Sequence, residues 1–130
     1  METTPFILIA EDDPDYVFLI KEALFDISHN NRCLFFENGE EILKFLKQNK
    51  VLPSLIITDI SMPKVNGFEV LREVREDMFF SQIPVAFFSH SSDSGDKNRA
   101  AKLNCNGYYT KGSCAKEMGD ALSSMLALMN

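Results

Sequence analysis

The chain has 130 residues, of which 45% are hydrophobic and 25% are charged. This length and composition are typical of one globular domain, which we place at 1–130, and they exclude a disordered or collagen-like chain. Asp and Glu number 19 against 13 Lys and Arg, and the resulting net charge of −6 argues against direct binding to nucleic acid or to an anionic membrane.

The first half of the chain alternates two predicted strands with two predicted helices. The short apolar run Phe6–Ala10 predicts a buried strand. Asp13 then caps a helix that begins at Pro14. One face of this helix is apolar: Tyr16, Ile20, Ala23, Leu24 and Ile27. A second strand follows at Cys33–Phe36, and the helix after it has an apolar side: Ile42, Phe45 and Leu46.

The second half continues the alternation. A third strand is predicted at Leu55–Thr58. The helix that follows has apolar residues at helical spacing: Phe68, Leu71, Val74 and Met78. A fourth strand at Val85–Phe88, a polar helix at Asp93–Leu103 and a fifth strand at Gly107–Thr110 come next. The last predicted helix, Cys114–Met129, is expected to bury its apolar residues: Met118, Ala121, Leu122, Met125 and Met129.

Five strands that alternate with five helices predict an α/β fold. Right-handed crossovers between parallel strands place helices on both faces of a doubly wound sheet. No apolar run approaches the roughly 20 residues of a membrane span. The three cysteines show no metal-binding spacing and no pattern typical of disulfides, so a reducing, cytoplasmic compartment is expected.

Polar residues follow four of the predicted strands, at the edge where ligands bind in such sheets. Glu11 and Asp12 follow the first strand, Asp59 the third, Ser89 the fourth and Lys111 the fifth. Converging carboxylates repel one another and require either shifted pKa values or a bound cation. Oxygen ligands alone favour Mg²⁺. A carboxylate nucleophile, a hydroxyl, an ammonium and a divalent ion are the groups that phosphoryl transfer to aspartate needs.

Together these motifs resemble the receiver domain of two-component response regulators, especially its single-domain kind. The resemblance rests on the acid pair, on the pattern D-x-x-M-P-x-x-x-G that runs from Asp59 to Gly67, and on Ser89 and Lys111. It covers essentially the whole chain. It implies a flavodoxin-like sheet with strand order 2-1-3-4-5 and a phosphorelay function without an output domain. The implied phosphoryl donor is a histidine kinase or a phosphotransfer protein.

The resemblance also assigns the acidic residues. Asp59 is expected to accept the phosphoryl group. Glu11, Asp12 and Asp59, together with the backbone carbonyl of Ser61, are expected to hold Mg²⁺.

The remaining site residues are assigned to phosphoryl binding and switching. The resemblance implies that Ser89 and Lys111 bond the phosphoryl oxygens, and that the ring of Tyr108 turns inward when Ser89 moves. The polar helix has few apolar anchors, so we expect it to be the bistable element. A downstream protein is then expected to bind the face made by this helix, the fifth strand and the last helix, and a homodimer on activation is a further candidate.

Two residues depart from the family pattern. Gly112 replaces the proline that usually follows the lysine in a cis peptide. Because a non-proline cis bond costs about 2.5–4 kcal/mol, we predict a trans Lys111–Gly112 bond. His90 replaces a small residue, and we hypothesise that its imidazole crowds the phosphoryl site and slows attack by water and by small phosphodonors.

Three alternatives stay open at this point. The first is a receiver-shaped binding module that is never phosphorylated. The second is a Mg²⁺-dependent phosphatase with an aspartyl phosphate, although Ser61 replaces the second aspartate that such enzymes use as acid and base. The third is a flavodoxin-type FMN carrier, which the acids after the first strand disfavour because they would repel the phosphate. We therefore expect no enzyme activity beyond the protein's own phosphorylation and slow dephosphorylation.

Overall fold

In the computed structural model, which describes residues 6–27, 32–112 and 114–129, five strands form a parallel sheet in the order β2-β1-β3-β4-β5. The strands are β1 Phe6–Ala10, β2 Arg32–Phe36, β3 Leu55–Thr58, β4 Val85–Ser89 and β5 Gly107–Thr110. The helices are α1 Pro14–Asp26, α2 Gly39–Asn49, α3 Gly67–Glu76, α4 Ser94–Lys102 and α5 Ala115–Leu126. The predicted flavodoxin-like fold and strand order are confirmed.

Each face of the sheet has its own apolar core, because side chains along a strand alternate between the two faces. Leu8, Ile56 and Phe87 pack with α2, α3 and Ala100 of α4. Their strand neighbours, including Ile9 and Ile57, pack with α1 and α5 on the opposite face. The central strands are therefore buried on both sides, which explains their continuous apolar sequence.

Side-chain caps begin two of the helices close to the carboxyl ends of the strands. The Asp13 carboxylate accepts a 2.9 Å hydrogen bond from the amide of Asp15, and Pro14 occupies the first turn of α1 as predicted. Asn66 and Glu69 form a reciprocal capping box at the start of α3. These caps determine the direction in which the chain leaves β1 and enters α3.

Met78 corrects the prediction for α3. The helix ends at Glu76, and the side chain of Met78 is 97% exposed instead of buried. Asp77 leaves the helical conformation, and its carboxylate accepts hydrogen bonds from the amides of Phe79 and Phe80. After this turn Phe80 enters the core, whereas Met78 stays outside it.

Smaller differences concern the last helix and the loop before it. The helix begins at Ala115 with Cys114 as its cap, it ends at Leu126, and Ala121 and Met129 are only partly buried. The peptide bond that follows Lys111 is trans, as predicted. Among the described residues, no helix has the length and apolar character needed to cross a membrane.

Candidate functional site

Three carboxylates meet where β1 and β3 end. Ala10 and Thr58 are partners in the sheet, so the residues that follow them lie side by side. Glu11, Asp12 and Asp59 each offer a carboxylate oxygen, and these oxygens lie within 4.8 Å of one another. Glu11 and Asp59 are buried, whereas Asp12 is exposed to solvent. The acids predicted to converge are therefore brought together, with one side open to an incoming ligand.

Lys111 places a buried ammonium between two of these acids. Its Nζ lies 2.5 Å from Glu11 Oε1 and 2.9 Å from Asp59 Oδ2. Burial alone would lower the pKa of Lys111, but the hydrogen bonds and the negative charges of the two acids outweigh burial and raise the pKa. Burial raises the pKa of Glu11 despite its contact with Lys111. The ammonium is thus held in its charged form beside the carboxylate expected to react.

Further hydrogen bonds hold the two buried carboxylates in place. Asp59 Oδ1 accepts from the amide of Ile60 at 2.7 Å, and Glu11 Oε2 accepts from the amide of Asp13 at 3.2 Å. Gly67 lets α3 begin close to this point, because a Cβ there would lie 2.2 Å from the backbone oxygen of Asp59. The carboxylate of Asp59 is therefore fixed by the backbone on one side and by Lys111 on the other.

Ser89 and Tyr108 are linked through the loop that follows β4. Ser89 is buried, and its hydroxyl oxygen accepts a 3.2 Å hydrogen bond from the amide of Ser91. The hydroxyl of Tyr108 donates to the carbonyl of the same Ser91 at 2.8 Å. The Lys111 amide donates to the carbonyl of Ser89 at 2.7 Å. The predicted switch residue thus contacts the loop that joins Ser89 to α4.

Ser61 lies on an open cleft beside the acids. The cleft is also lined by Asp12, by Asn66 and by Arg99 of α4. The guanidinium of Arg99 lies 4.3 Å from the centre of the Phe68 ring. Ligation by the Ser61 carbonyl stays a prediction, and its place on the cleft that Asp12 also lines is compatible with that role.

Sequence reasoning missed one residue of the site, Tyr16. Its ring belongs to the predicted apolar face of α1, but the Lys111 ammonium lies 4.3 Å from the ring centre. The Tyr16 hydroxyl donates to the carbonyl of Gly112 at 3.2 Å. His90 contacts the same ring edge to face, with the ring centres 5.3 Å apart. The position of Tyr16 in the sequence could have indicated this role, because a residue in the first turn of α1 lies near the acids that precede this helix.

The predicted crowding by His90 stays a hypothesis. The imidazole is exposed and packs against the ring of Tyr16, next to the site.

Comparisons with known proteins agree with this geometry. The sequence matches the response regulator receiver domain over residues 7–123. Response regulator Rre1 of Synechocystis sp. is 28% identical over 123 residues, which are 95% of this chain and 52% of Rre1. The chain therefore spans about half the length of this relative.

Solved structures show the same likeness along nearly the whole chain. The phosphorylated cyanobacterial phytochrome response regulator RcpA matches with a TM-score of 0.86 and 27% identity, over 98% of each chain. The Mn²⁺-bound form of response regulator Rcp1 matches with a TM-score of 0.84 and 26% identity, over 95% of this chain and 92% of that one. The chain belongs to the response regulator receiver domain family of two-component systems.

Proposed function

We propose that Asp59 accepts a phosphoryl group from the phosphohistidine of a histidine kinase or a phosphotransfer protein. A carboxylate oxygen of Asp59 attacks phosphorus, the P–N bond to the histidine breaks, and the histidine nitrogen keeps the electron pair and leaves as neutral imidazole after protonation. The observation that supports this most directly is the buried Asp59 carboxylate, held between the Ile60 amide and the Lys111 ammonium. RcpA, which matches this chain, has been crystallised in a phosphorylated form.

Glu11, Asp12 and Asp59 are the residues that would hold Mg²⁺ in this proposal, with the backbone carbonyl of Ser61 as a further ligand. Three carboxylate oxygens within 4.8 Å of one another form a set that suits a small, hard cation. The related Rcp1 has been crystallised with Mn²⁺, which takes the same kind of ligand. A bound divalent ion would neutralise part of the negative charge that the acids and the incoming phosphoryl oxygens share.

Phosphorylation would change the contacts of Ser89 and Lys111. The added negative charge and acceptor oxygens attract the ammonium and the hydroxyl, and Ser89 is joined to Tyr108 through Ser91. A shift of this loop would release the Tyr108 hydroxyl and let α4 move. We propose that a downstream protein, or a second copy of the chain, recognises the resulting face of α4, β5 and α5.

Acetyl phosphate tests the proposal directly. With Mg²⁺ present, the intact mass of the wild type should increase by one phosphoryl group, and Asp59→Asn should abolish the increase. Asp13→Asn is the matched control, because the exposed Asp13 side chain caps α1 and lies outside the acid cluster, and the substitution keeps the backbone amide that donates to Glu11. Because His90 is expected to slow small phosphodonors, the second measurement is the NMR spectrum with Mg²⁺ and beryllium fluoride, which mimics the phosphoryl group. A wild type that is unmodified by acetyl phosphate and unchanged by beryllium fluoride would favour the receiver-shaped binding module, and modification of Asp59→Asn would show that another residue accepts the phosphoryl group.

We propose that the protein does not hydrolyse phosphomonoesters as an aspartyl-phosphate phosphatase does. Ser61 occupies the position of the second aspartate in aspartyl-phosphate phosphatases, so no side chain there can serve as acid and base. A single domain at 1–130 and a cytoplasmic location remain predictions of the sequence.

A further inference from the structure

Tyr16 contacts both the side chain and the following backbone of Lys111. Its ring is 4.3 Å from the ammonium, and its hydroxyl donates to the carbonyl of Gly112. These residues are far apart in sequence, since Tyr16 and Gly112 are separated by 96 positions. Only 8% of Tyr16 is exposed, so the contacts are made inside the molecule.

The Tyr16 hydroxyl contacts the backbone at a glycine that lies just beyond the edge strand β5. Glycine has more backbone freedom than any other residue, whereas proline has a fixed φ. Lys111 follows β5, which is an edge strand and pairs on one side only. The hydrogen bond from the Tyr16 hydroxyl therefore adds a restraint beyond β5, next to the hydrogen bond that joins the Lys111 amide to the Ser89 carbonyl.

The ring contact holds the Lys111 ammonium without competing with an incoming phosphoryl oxygen. An aromatic face attracts a cation within about 6 Å of its centre, and it adds no negative charge to the site. The Lys111 ammonium already contacts Glu11 and Asp59, so a third carboxylate would compete with an incoming phosphoryl oxygen. The His90 ring contacts the Tyr16 ring in a T-shaped arrangement.

We propose that Tyr16 is a positioning residue for Lys111. Its hydroxyl holds the Gly112 carbonyl, and the face of its ring contacts the ammonium. The proposal rests on the proposed phosphorylation of Asp59, because positioning the ammonium matters for rate only if a phosphoryl group arrives there.

Two variants separate the two contacts. Tyr16→Phe removes the hydroxyl and keeps the ring, whereas Tyr16→Leu removes both. The matched control is Leu24→Ala, a buried residue of the same helix that belongs to the core and lies two turns from the site. It measures what a loss of stability alone does to the reaction.

Two readouts are measured on each protein. The first is the rate of phosphorylation by acetyl phosphate at saturating Mg²⁺, corrected for the folded fraction. The second is the ammonium signal of Lys111 in ¹⁵N NMR of the phosphate-free protein, which is visible only when the group is held and protected from exchange. Tyr16→Leu should be about tenfold slower, because the loss of one cation–π contact changes a rate by about this factor. Its ammonium signal should broaden, because only Glu11 and Asp59 still hold the group. Tyr16→Phe should have a rate between those of Tyr16→Leu and the wild type, because it keeps the ring contact and loses the hydrogen bond to the Gly112 carbonyl. A Tyr16→Phe variant with the wild-type rate would overturn the part of the proposal that concerns Gly112.

A Tyr16→Leu variant that keeps the wild-type rate and ammonium signal would overturn the proposal, and so would an equal slowing in Leu24→Ala. If the wild type takes up no phosphate and does not respond to beryllium fluoride with Mg²⁺, the proposed function fails. The ammonium signal then still decides whether Tyr16 positions Lys111.

Discussion

At the scale of single residues, the site depends on one ammonium that is shared by two buried acids. The side chain of Lys111 is 2% exposed, and Glu11 and Asp59 on either side are also largely buried. Such a group stabilises the fold mainly because its removal leaves buried charges without a partner. Glu11 and Asp59 together carry one negative charge more than Lys111 neutralises. This excess charge favours a cation beside Asp12.

Lys111→Met should therefore destabilise the metal-free protein. We expect the free energy of unfolding to fall by about 3–5 kcal/mol in urea titrations at pH 7. Because the folded pKa of Lys111 is raised, the contribution of this ion pair is fully present below the ordinary lysine pKa, and it disappears only as the pH rises through the raised value.

Lys116→Met serves as the control for this prediction. Lys116 contacts Asp120 at 3.4 Å on the surface of α5, where the side chains are 85% and 72% exposed. Exposed pairs contribute little, so the midpoint of this variant should stay near that of the wild type. Equal losses in the free energy of unfolding would show that the buried ion pairs of Lys111 contribute no more than the exposed pair of Lys116.

At the scale of elements, α4 is the helix with the weakest attachment to the core. Ala100 is its one buried residue among those described, and Leu103 beyond its end is only partly buried. By contrast, α3 is attached to the loops beside it by Arg75, whose guanidinium donates to carbonyls of Ser81 and Ile83. A helix with few apolar contacts opens or shifts at low cost, in agreement with the role predicted for α4.

Gly95→Ala should stabilise α4. Gly95 has no positive φ, and a Cβ there meets nothing closer than Asp93 Oδ1 at 3.4 Å. Alanine gains helix propensity, so we expect the free energy of unfolding to rise by about 0.5 kcal/mol and the amides of α4 to exchange hydrogen more slowly.

The contrasting variant is Gly67→Ala, at the start of α3. Its Cβ would lie 2.2 Å from the backbone oxygen of Asp59 and 2.9 Å from the ring of Phe87, so the chain must shift. A loss of more than about 1 kcal/mol is expected by the same measurements. Gains in both variants would contradict the packing described for the two glycines.

At the scale of the whole molecule, the proposed Mg²⁺ site would couple cation binding to folding through the three acids. A ligand that binds only the folded state stabilises it by about 2.7 kcal/mol at a concentration of 100 times its Kd. Mg²⁺ should thus raise the thermal midpoint in a concentration-dependent way.

Asp12→Asn should reduce that rise strongly and change the midpoint little without Mg²⁺, because Asp12 is exposed. An undiminished rise in Asp12→Asn would remove this acid from the proposed metal site.

The alternation of apolar and polar segments was sufficient to predict the sheet, its parallel strands and the edge where Glu11, Asp59 and Lys111 meet. These features follow from local rules, since strand period, helix period and caps depend on neighbouring residues. The family resemblance supplied the strand order and the expected roles. The prediction for Met78 was wrong because the apolar spacing continues past Glu76, whereas the Asp77 carboxylate accepts a hydrogen bond from the Phe79 amide and ends the helix.

The sequence alone therefore determined the order of the elements and the set of charged groups at the carboxyl edge of the sheet. Only the tertiary structure decided which aromatic ring supports Lys111 and how the Gly112 carbonyl is restrained. It also decided that Phe80 and not Met78 enters the core. The physical reason is that such contacts join side chains from distant segments, and their distances depend on how helices pack on the sheet and not on any period within one segment.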